Sequence, residues 1–261
     1  MTLIIALKGK ITDESEVVGA VVASDTQVTS HTKDSMLKIF QLGELPILVG
    51  GSGSASLSRH LISELEQSSQ SYQRMLGRKM TCYDFDNFVN LKVEPFLREK
   101  FSSHADVVEN SGQQLILSFS DVSDVRLYVV QSDGVPMRVD HDPGYCCIGI
   151  GNTTGGMLLI NQFFNPRSNL INLTKLASYI IYQVSKVTPS VGGSIQTKLN
   201  FGGKIINPKM DFDLEYAQLR SDTMKKVWAL LDKENVPFER EFNKALGKKE
   251  FRSLVRKMQE A

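Results

Sequence analysis

The sequence predicts an α+β fold in which antiparallel sheets stack on one another and helices cover them. Three observations carry that expectation. The elements run as strands, two helices, strands, two helices and a last strand, which is not the regular βαβ alternation of a parallel sheet. The strand candidates are short apolar or alternating runs closed by Gly, Asp and Asn turns. The helix candidates place apolar residues three and four apart on one face, as in Leu57, Leu61 and Leu65. At 261 residues, 41% of them hydrophobic and 23% charged, the chain is long enough for one globular domain with an appendage.

Taken in order, Thr2 to Lys8 reads as a compact apolar strand, Thr12 to Glu16 as a polar loop, and Gly19 to Ala23 as a strand ending at Ser24-Asp25. Lys38 to Leu42 and Pro46 to Val49 form the next pair across Gly43-Glu44, and the sheet is expected to stop at Gly50-Gly51-Ser52-Gly53. A helix with Leu57, Leu61 and Leu65 follows, then a second with Phe85, Phe88, Val89, Phe96 and Phe101, in which Pro95 marks a kink or a junction. Strands return at Gln114 to Ser120 and Val125 to Val130, where Ser132-Asp133-Gly134 turns the chain into Val135 to Val139. Tyr145 to Ile150 reads as a strand and Gly155 to Phe164 as a helix, after which Asn172 is expected to cap a helix carrying Leu173, Leu176, Ile180 and Val184. Past Gly192-Gly193, Ile195, Thr197, Leu199 and Phe201 alternate with Gln196, Lys198 and Asn200, the pattern of a strand with one wet face. From Asn207 the character changes, and Met224, Val227, Trp228 and Leu231 mark the first of the later helices. Residues 1–206 therefore read as the layered domain and 207–261 as a helical C-terminal extension.

Composition narrows the function classes. The net charge is +1 with both signs interspersed, so neither nucleic acid nor an anionic membrane is called for as a partner. The first apolar run is too short for a signal sequence or a spanning helix, which points to a cytoplasmic protein. Cys82, Cys146 and Cys147 cannot all pair within the chain and lack zinc spacing, so they are expected to be reduced and buried, with no metal and no cofactor. His31, His60, His104 and His141 show no ligand spacing. Gly50 to Ala55 is not a nucleophile elbow, and it lacks the lysine of a phosphate-binding loop.

The chemistry gathers at Thr2. If Met1 is removed, that residue carries a hydroxyl nucleophile and a free α-amine, and an α-amine titrates near about pH 7.7 to 8, so part of it is neutral and able to accept the hydroxyl proton. Asp25 ends the second strand and Lys38 begins the third. A lysine at the start of a buried strand can hold positive charge near the hydroxyl, and Asp25 can pair with it. Gly50-Gly51 precedes a helix, and a glycine turn offering N–H groups there is one way to build an oxyanion hole. Met36, Phe40 and Val49 are candidates for an apolar specificity pocket.

Thr2-Leu-Ile-Ile-Ala, Ala-Ser-Asp25-Thr-Gln-Val-Thr29, Lys38-Ile-Phe and Val-Gly-Gly51 before a helix resemble, in order and character, the proteasome β-subunit and HslV family of N-terminal-nucleophile (Ntn) hydrolases. Tyr128 to Gly134 and Ile148 to Gly151 resemble later segments of the same family, possession of which would make this a divergent, archaeal-type homologue. The resemblance implies a four-layer αββα sandwich and threonine-dependent peptide-bond chemistry on a peptide or unfolded polypeptide. It also implies assembly into homo- or hetero-oligomeric rings. By motif, Thr2 matches the nucleophile, Asp25 the acidic partner, Lys38 the activating lysine, and Gly51 or Gly50 the oxyanion glycine. Thr29 matches a threonine whose backbone pairs with extended substrate. The sequence departs from the family at Ile150, Thr188 and Val191, where polar residues would surround the amine; Thr153, Thr154 and Ser190 are the nearby substitutes. A poorer polar shell slows water relative to an acceptor amine, so a connectase-like peptide ligase is an alternative, and a catalytically inactive ring or scaffold subunit is another.

Overall fold

The computed structural model describes residues 2–27 and 36–207. In chain order the strands are β1 (Ile4–Lys10), β2 (Val18–Asp25), β3 (Ile39–Gln41), β4 (Ile47–Ser52), β5 (Gln114–Ser120), β6 (Val125–Val130), β7 (Pro136–Arg138), β8 (Tyr145–Ile148), β9 (Ile195–Phe201) and β10 (Lys204–Ile206). The helices are α1 (Ala55–Leu76), α2 (Cys82–Phe88), α3 (Glu94–Ser103), α4 (Ala105–Ser111), α5 (Met157–Phe163) and α6 (Leu170–Val187).

Two antiparallel sheets form, in the orders β10-β9-β2-β1-β8 and β3-β4-β5-β6-β7. Side chains alternate across a strand, so each apolar run serves two layers. On β1 and β2, Ile5, Leu7, Val21 and Ala23 pack with α6, while Ile4, Ala6, Ala20 and Val22 face the second sheet and meet Ile39, Leu48, Ile116 and Leu127. The far side of that second sheet, with Ile47, Val49, Leu115 and Phe119, packs on α1 and α2. Helix, sheet, sheet and helix thus form the four αββα layers that the resemblance implies. Burial of both faces is also why β1 and β2 read as unbroken apolar runs.

Several local expectations change in the folded chain. β4 does not stop at the glycines but runs through Gly50 and Gly51 to Ser52, because β5 pairs with it as far as Gln114. Pro95 sits in the first turn of α3, after a π-helical turn over Val89–Val93, where a missing N–H costs little; it is a junction. The cap of α6 is Asn169, whose side chain accepts from the N–H of Asn172 (2.9 Å). The polar side of β9 is not wet. Asn200 is fully buried between the sheets, where its amide donates to the Pro46 carbonyl (3.1 Å) and the Ser118 hydroxyl (3.2 Å).

Ion pairs also fasten the sheets at the end of β1 away from Thr2. Lys8 pairs with Asp124 (3.1 Å), and the fully buried Asp140 accepts from Arg138 at 2.8 and 3.0 Å. Cys146 and Cys147 point to opposite faces of β8 into different cores, so the vicinal pair shares no site. Burial pushes the Cys82 and Cys146 thiols up to about 12 and raises that of Cys147 too. The predicted extension lies outside the described residues except for Asn207, and no helix among the described residues is long and apolar enough to cross a membrane.

Candidate active site

The register of β1 and β2 places Ile4 opposite Ser24, which brings Thr2 and Leu3 beside Asp25. The Asp25 N–H donates to the Leu3 carbonyl (3.3 Å), tying the start of one strand to the end of the other. The Asp25 carboxylate, fully buried, is then surrounded by donors. Its Oδ1 accepts from the Thr2 hydroxyl (2.6 Å) and the Leu3 N–H (2.8 Å), and its Oδ2 accepts from Lys38 Nζ (2.9 Å) and the Gly192 N–H (3.2 Å). A buried carboxylate needs such partners, since an uncompensated charge in the interior is costly.

Lys38 immediately precedes β3. Its Nζ also donates to the Gln27 carbonyl (2.7 Å), and it reaches Thr2 through Asp25. Burial pushes its pKa down, while the charge of Asp25 and the hydrogen bond to it act in the opposite direction. Gln196 of β9 sets where Lys38 stands: its Oε1 accepts from the N–H groups of Lys38 (3.0 Å) and Ile39 (3.1 Å), and its Nε2 donates to the Ile39 carbonyl (2.8 Å). Alternation along β9 alone makes Gln196 a solvent-facing residue; the signal that it points between layers is its place on the polar side of a strand in a fold whose sheets stack.

The third support of Thr2 is glycine. The Gly151 N–H donates to the Thr2 carbonyl (3.3 Å), and a Cβ on Gly149 would lie 2.2 Å from that oxygen. Gly149 has φ +88°, so both the close approach and the backbone angle call for glycine. Its N–H is held in turn by Gln114 Oε1 (2.9 Å).

Thr2 opens into a pocket whose walls include Met36, Phe40, Lys38, Arg59 and the chain from Gly51 to Gly53. The candidate oxyanion glycines, Gly50 and Gly51, belong to β4. The Gly51 N–H already donates to the Lys38 carbonyl (3.2 Å), and Gly50 lies inside the β4 ladder between Ile39 and Ile116. Beyond the ladder stands Gly53, at φ +106°, whose N–H makes no hydrogen bond among the described residues; it is followed by Ser54, the N-cap of α1. Val49 is buried in the core under α1 and does not line the pocket. Thr29 and His31 lie outside the described residues.

The residues replacing the family's polar shell engage one another. Thr153 and Thr154 donate to the Ile150 carbonyl (3.0 and 3.2 Å), Thr188 donates to Thr154 (2.7 Å), and Val191 is core. No group of three or more His, Cys, Asp or Glu side chains among the described residues is placed to hold a metal ion.

A hydroxyl that donates a hydrogen bond to a carboxylate keeps its lone pairs free for a carbonyl carbon. Beside it lie a buried cation and a glycine turn at a helix start, the components of amide chemistry. Comparison with known proteins bears on the fold and the family. No curated protein matches the chain. Among solved structures it is similar to Anbu (ancestral beta-subunit) from Yersinia bercovieri, with a TM-score of 0.66 and 15% identity over 90% of this chain and 98% of that one, a likeness of fold. The family model for the proteasome subunit matches residues 17–198, well over half of the sequence, and the chain belongs to the proteasome subunit family.

Proposed function

We propose that the chain is a threonine-type Ntn peptidase or amidohydrolase that works through Thr2 once the residue before it has been removed. The observation that carries this reading is the buried Asp25 carboxylate, which gathers the Thr2 hydroxyl, the Lys38 ammonium and two backbone N–H groups. The Thr2 oxygen attacks the amide carbonyl carbon while its proton passes to the neutral α-amine. The carbonyl electron pair moves onto oxygen, where the N–H of Gly53 is the backbone donor left free by the ladder. Collapse re-forms the carbonyl and breaks the C–N bond, and the leaving amine takes the proton. Water, deprotonated by the same α-amine, then hydrolyses the ester. Asp25 holds the hydroxyl in place and positions Lys38, whose positive charge favours the deprotonated form. Met36 and Phe40 offer apolar contact to the residue before the scissile bond, and Thr29 is a candidate for pairing with the extended substrate backbone. As in the family, ring assembly with like subunits is part of this proposal.

A specific observation favours transfer to an amine as the second reading: Ile150 and Val191 are apolar, and the threonine hydroxyls nearby are engaged with one another. The test is to incubate the mature protein with a fluorogenic peptide amide, with and without an acceptor amine, beside Thr2→Ala. Turnover by the mature protein and none by Thr2→Ala supports the peptidase. Free acid alone, in the presence of acceptor, rejects transfer. An inert mature protein rejects both and leaves a scaffold subunit.

A further inference from the structure

Ser52 is a buried hydroxyl, 2% exposed, whose Oγ has no hydrogen-bond partner among the described residues. Such groups are rare because each forfeits its bonds to water, and one beside a candidate nucleophile calls for a reason. Strand geometry says where the hydroxyl points. A Cβ on Gly51 would lie 2.9 Å from Ser58 Oγ, so that face of β4 looks at α1. A Cβ on Gly50 would lie 3.1 Å from Ile4 Cγ2, so the opposite face looks at β1. Ser52 is two residues beyond Gly50 and shares its face, as Thr2 is two residues before Ile4. The two side chains therefore approach the same gap between the sheets, and both line the same pocket. A second, independent observation is that the Gly51 N–H is already bonded to Lys38, so the turn has fewer backbone donors than its glycines suggest.

We propose that Ser52 is a further catalytic residue, whose hydroxyl donates a hydrogen bond to the substrate oxygen as negative charge develops there. This rests on Thr2 being the nucleophile. The Thr2 oxygen–carbon bond forms, the carbonyl pair moves onto oxygen, and Ser52 O–H and Gly53 N–H both point their hydrogens at it. No proton leaves Ser52, and the bond relaxes when the carbonyl re-forms. In the free protein the hydroxyl is unpaired because its partner is the transition state.

The test compares wild type, Ser52→Ala and Ser52→Thr on a fluorogenic peptide amide, with mass spectrometry of a β-lactone adduct at Thr2 and urea unfolding of each. Loss of one such donor lowers kcat by roughly 100-fold with little change in KM. Ser52→Ala is expected to show that loss and to be as stable as wild type or more so, because it deletes an unsatisfied group, while Ser52→Thr, which keeps the donor, recovers most of the rate. If Ser52→Ala fails to fold, Ser52→Cys, nearly the same size and a weak donor, gives the same reading. Wild-type protein labelled at Thr2 with Ser52→Ala turning over within twofold of it overturns the role of Ser52 and leaves the nucleophile standing. Wild-type protein that neither labels nor turns over overturns both.

Discussion

Replacing Lys38 by methionine keeps most of the side-chain volume and removes the charge. The side chain of Lys38 is 6% exposed and that of Asp25 0%, so the carboxylate left behind has no water to turn to. It keeps the Thr2 hydroxyl and the N–H groups of Leu3 and Gly192. Removing one partner of a buried pair costs about 3–5 kcal/mol. A separate bound comes from letting the carboxylate take up a proton. Ordinary carboxyl groups titrate near about pH 4, so neutralising one at pH 7 costs about 4 kcal/mol, at about 1.4 kcal/mol for each of roughly three pH units. The two figures agree. At pH 5 the same escape costs only about 1.5 kcal/mol, so the deficit should shrink as the medium becomes more acid. The sign follows because the folded variant then holds a proton that the unfolded chain does not. Urea unfolding followed by far-ultraviolet circular dichroism at pH 5, 6 and 7 measures it. A deficit under about 1 kcal/mol at pH 7, or one that does not change with pH, would refute the buried pair.

Other outcomes follow from the same geometry. Because burial lowers the Lys38 pKa, its proton leaves as pH rises at a lower pH than that of a free lysine, near about 10.4. Turnover should therefore fall on the alkaline side before that point, and a profile flat to pH 10.5 or beyond would contradict this. Gly149→Ala forces a Cβ onto the Thr2 carbonyl at a positive φ and should slow adduct formation at Thr2 at least 10-fold, as mass spectrometry over time would show; unchanged labelling would mean that Thr2 is positioned otherwise. Asp140→Asn leaves Arg138 short of a buried partner far from the pocket and should cost about 3 kcal/mol in urea unfolding while the turnover of the folded protein stays within twofold.

The parts of the fold legible in sequence are those whose pattern is local. β1 and β2 are apolar on both faces because a layer lies on each, and an unbroken run is what such burial leaves in a sequence. Thr2 and Asp25 stand at the ends of β1 and β2, which chain order puts together once these two strands pair, whereas Lys38 arrives from the other sheet when the layers stack. The end of β4 is not local in this sense. Whether Gly50, Gly51 or Gly53 is the first residue free of the ladder depends on how far β3 and β5 pair with β4, and those strands are remote in the chain. The polar side of β9 shows the same limit. Alternation tells that Gln196 and Asn200 share a face, and it cannot tell whether water or a second sheet lies against it. At α6, Asn169 and Asn172 are three residues apart, the spacing of a cap and the N–H it receives. Only the dihedral angles decide which of them is the cap.

In the proposed mechanism Thr2 joins a nucleophilic hydroxyl and a free amine in one residue held by Asp25. A peptide epoxyketone tests both groups at once, since a stable adduct needs a bond to the oxygen and a bond to the nitrogen. The measurement is tandem mass spectrometry of the N-terminal peptide after incubation with the compound. A single adduct is expected, doubly joined at Thr2 and lost in Thr2→Ser only in part and in Thr2→Ala completely. A native chain that retains Met1, or an adduct that persists in Thr2→Ala, would contradict it.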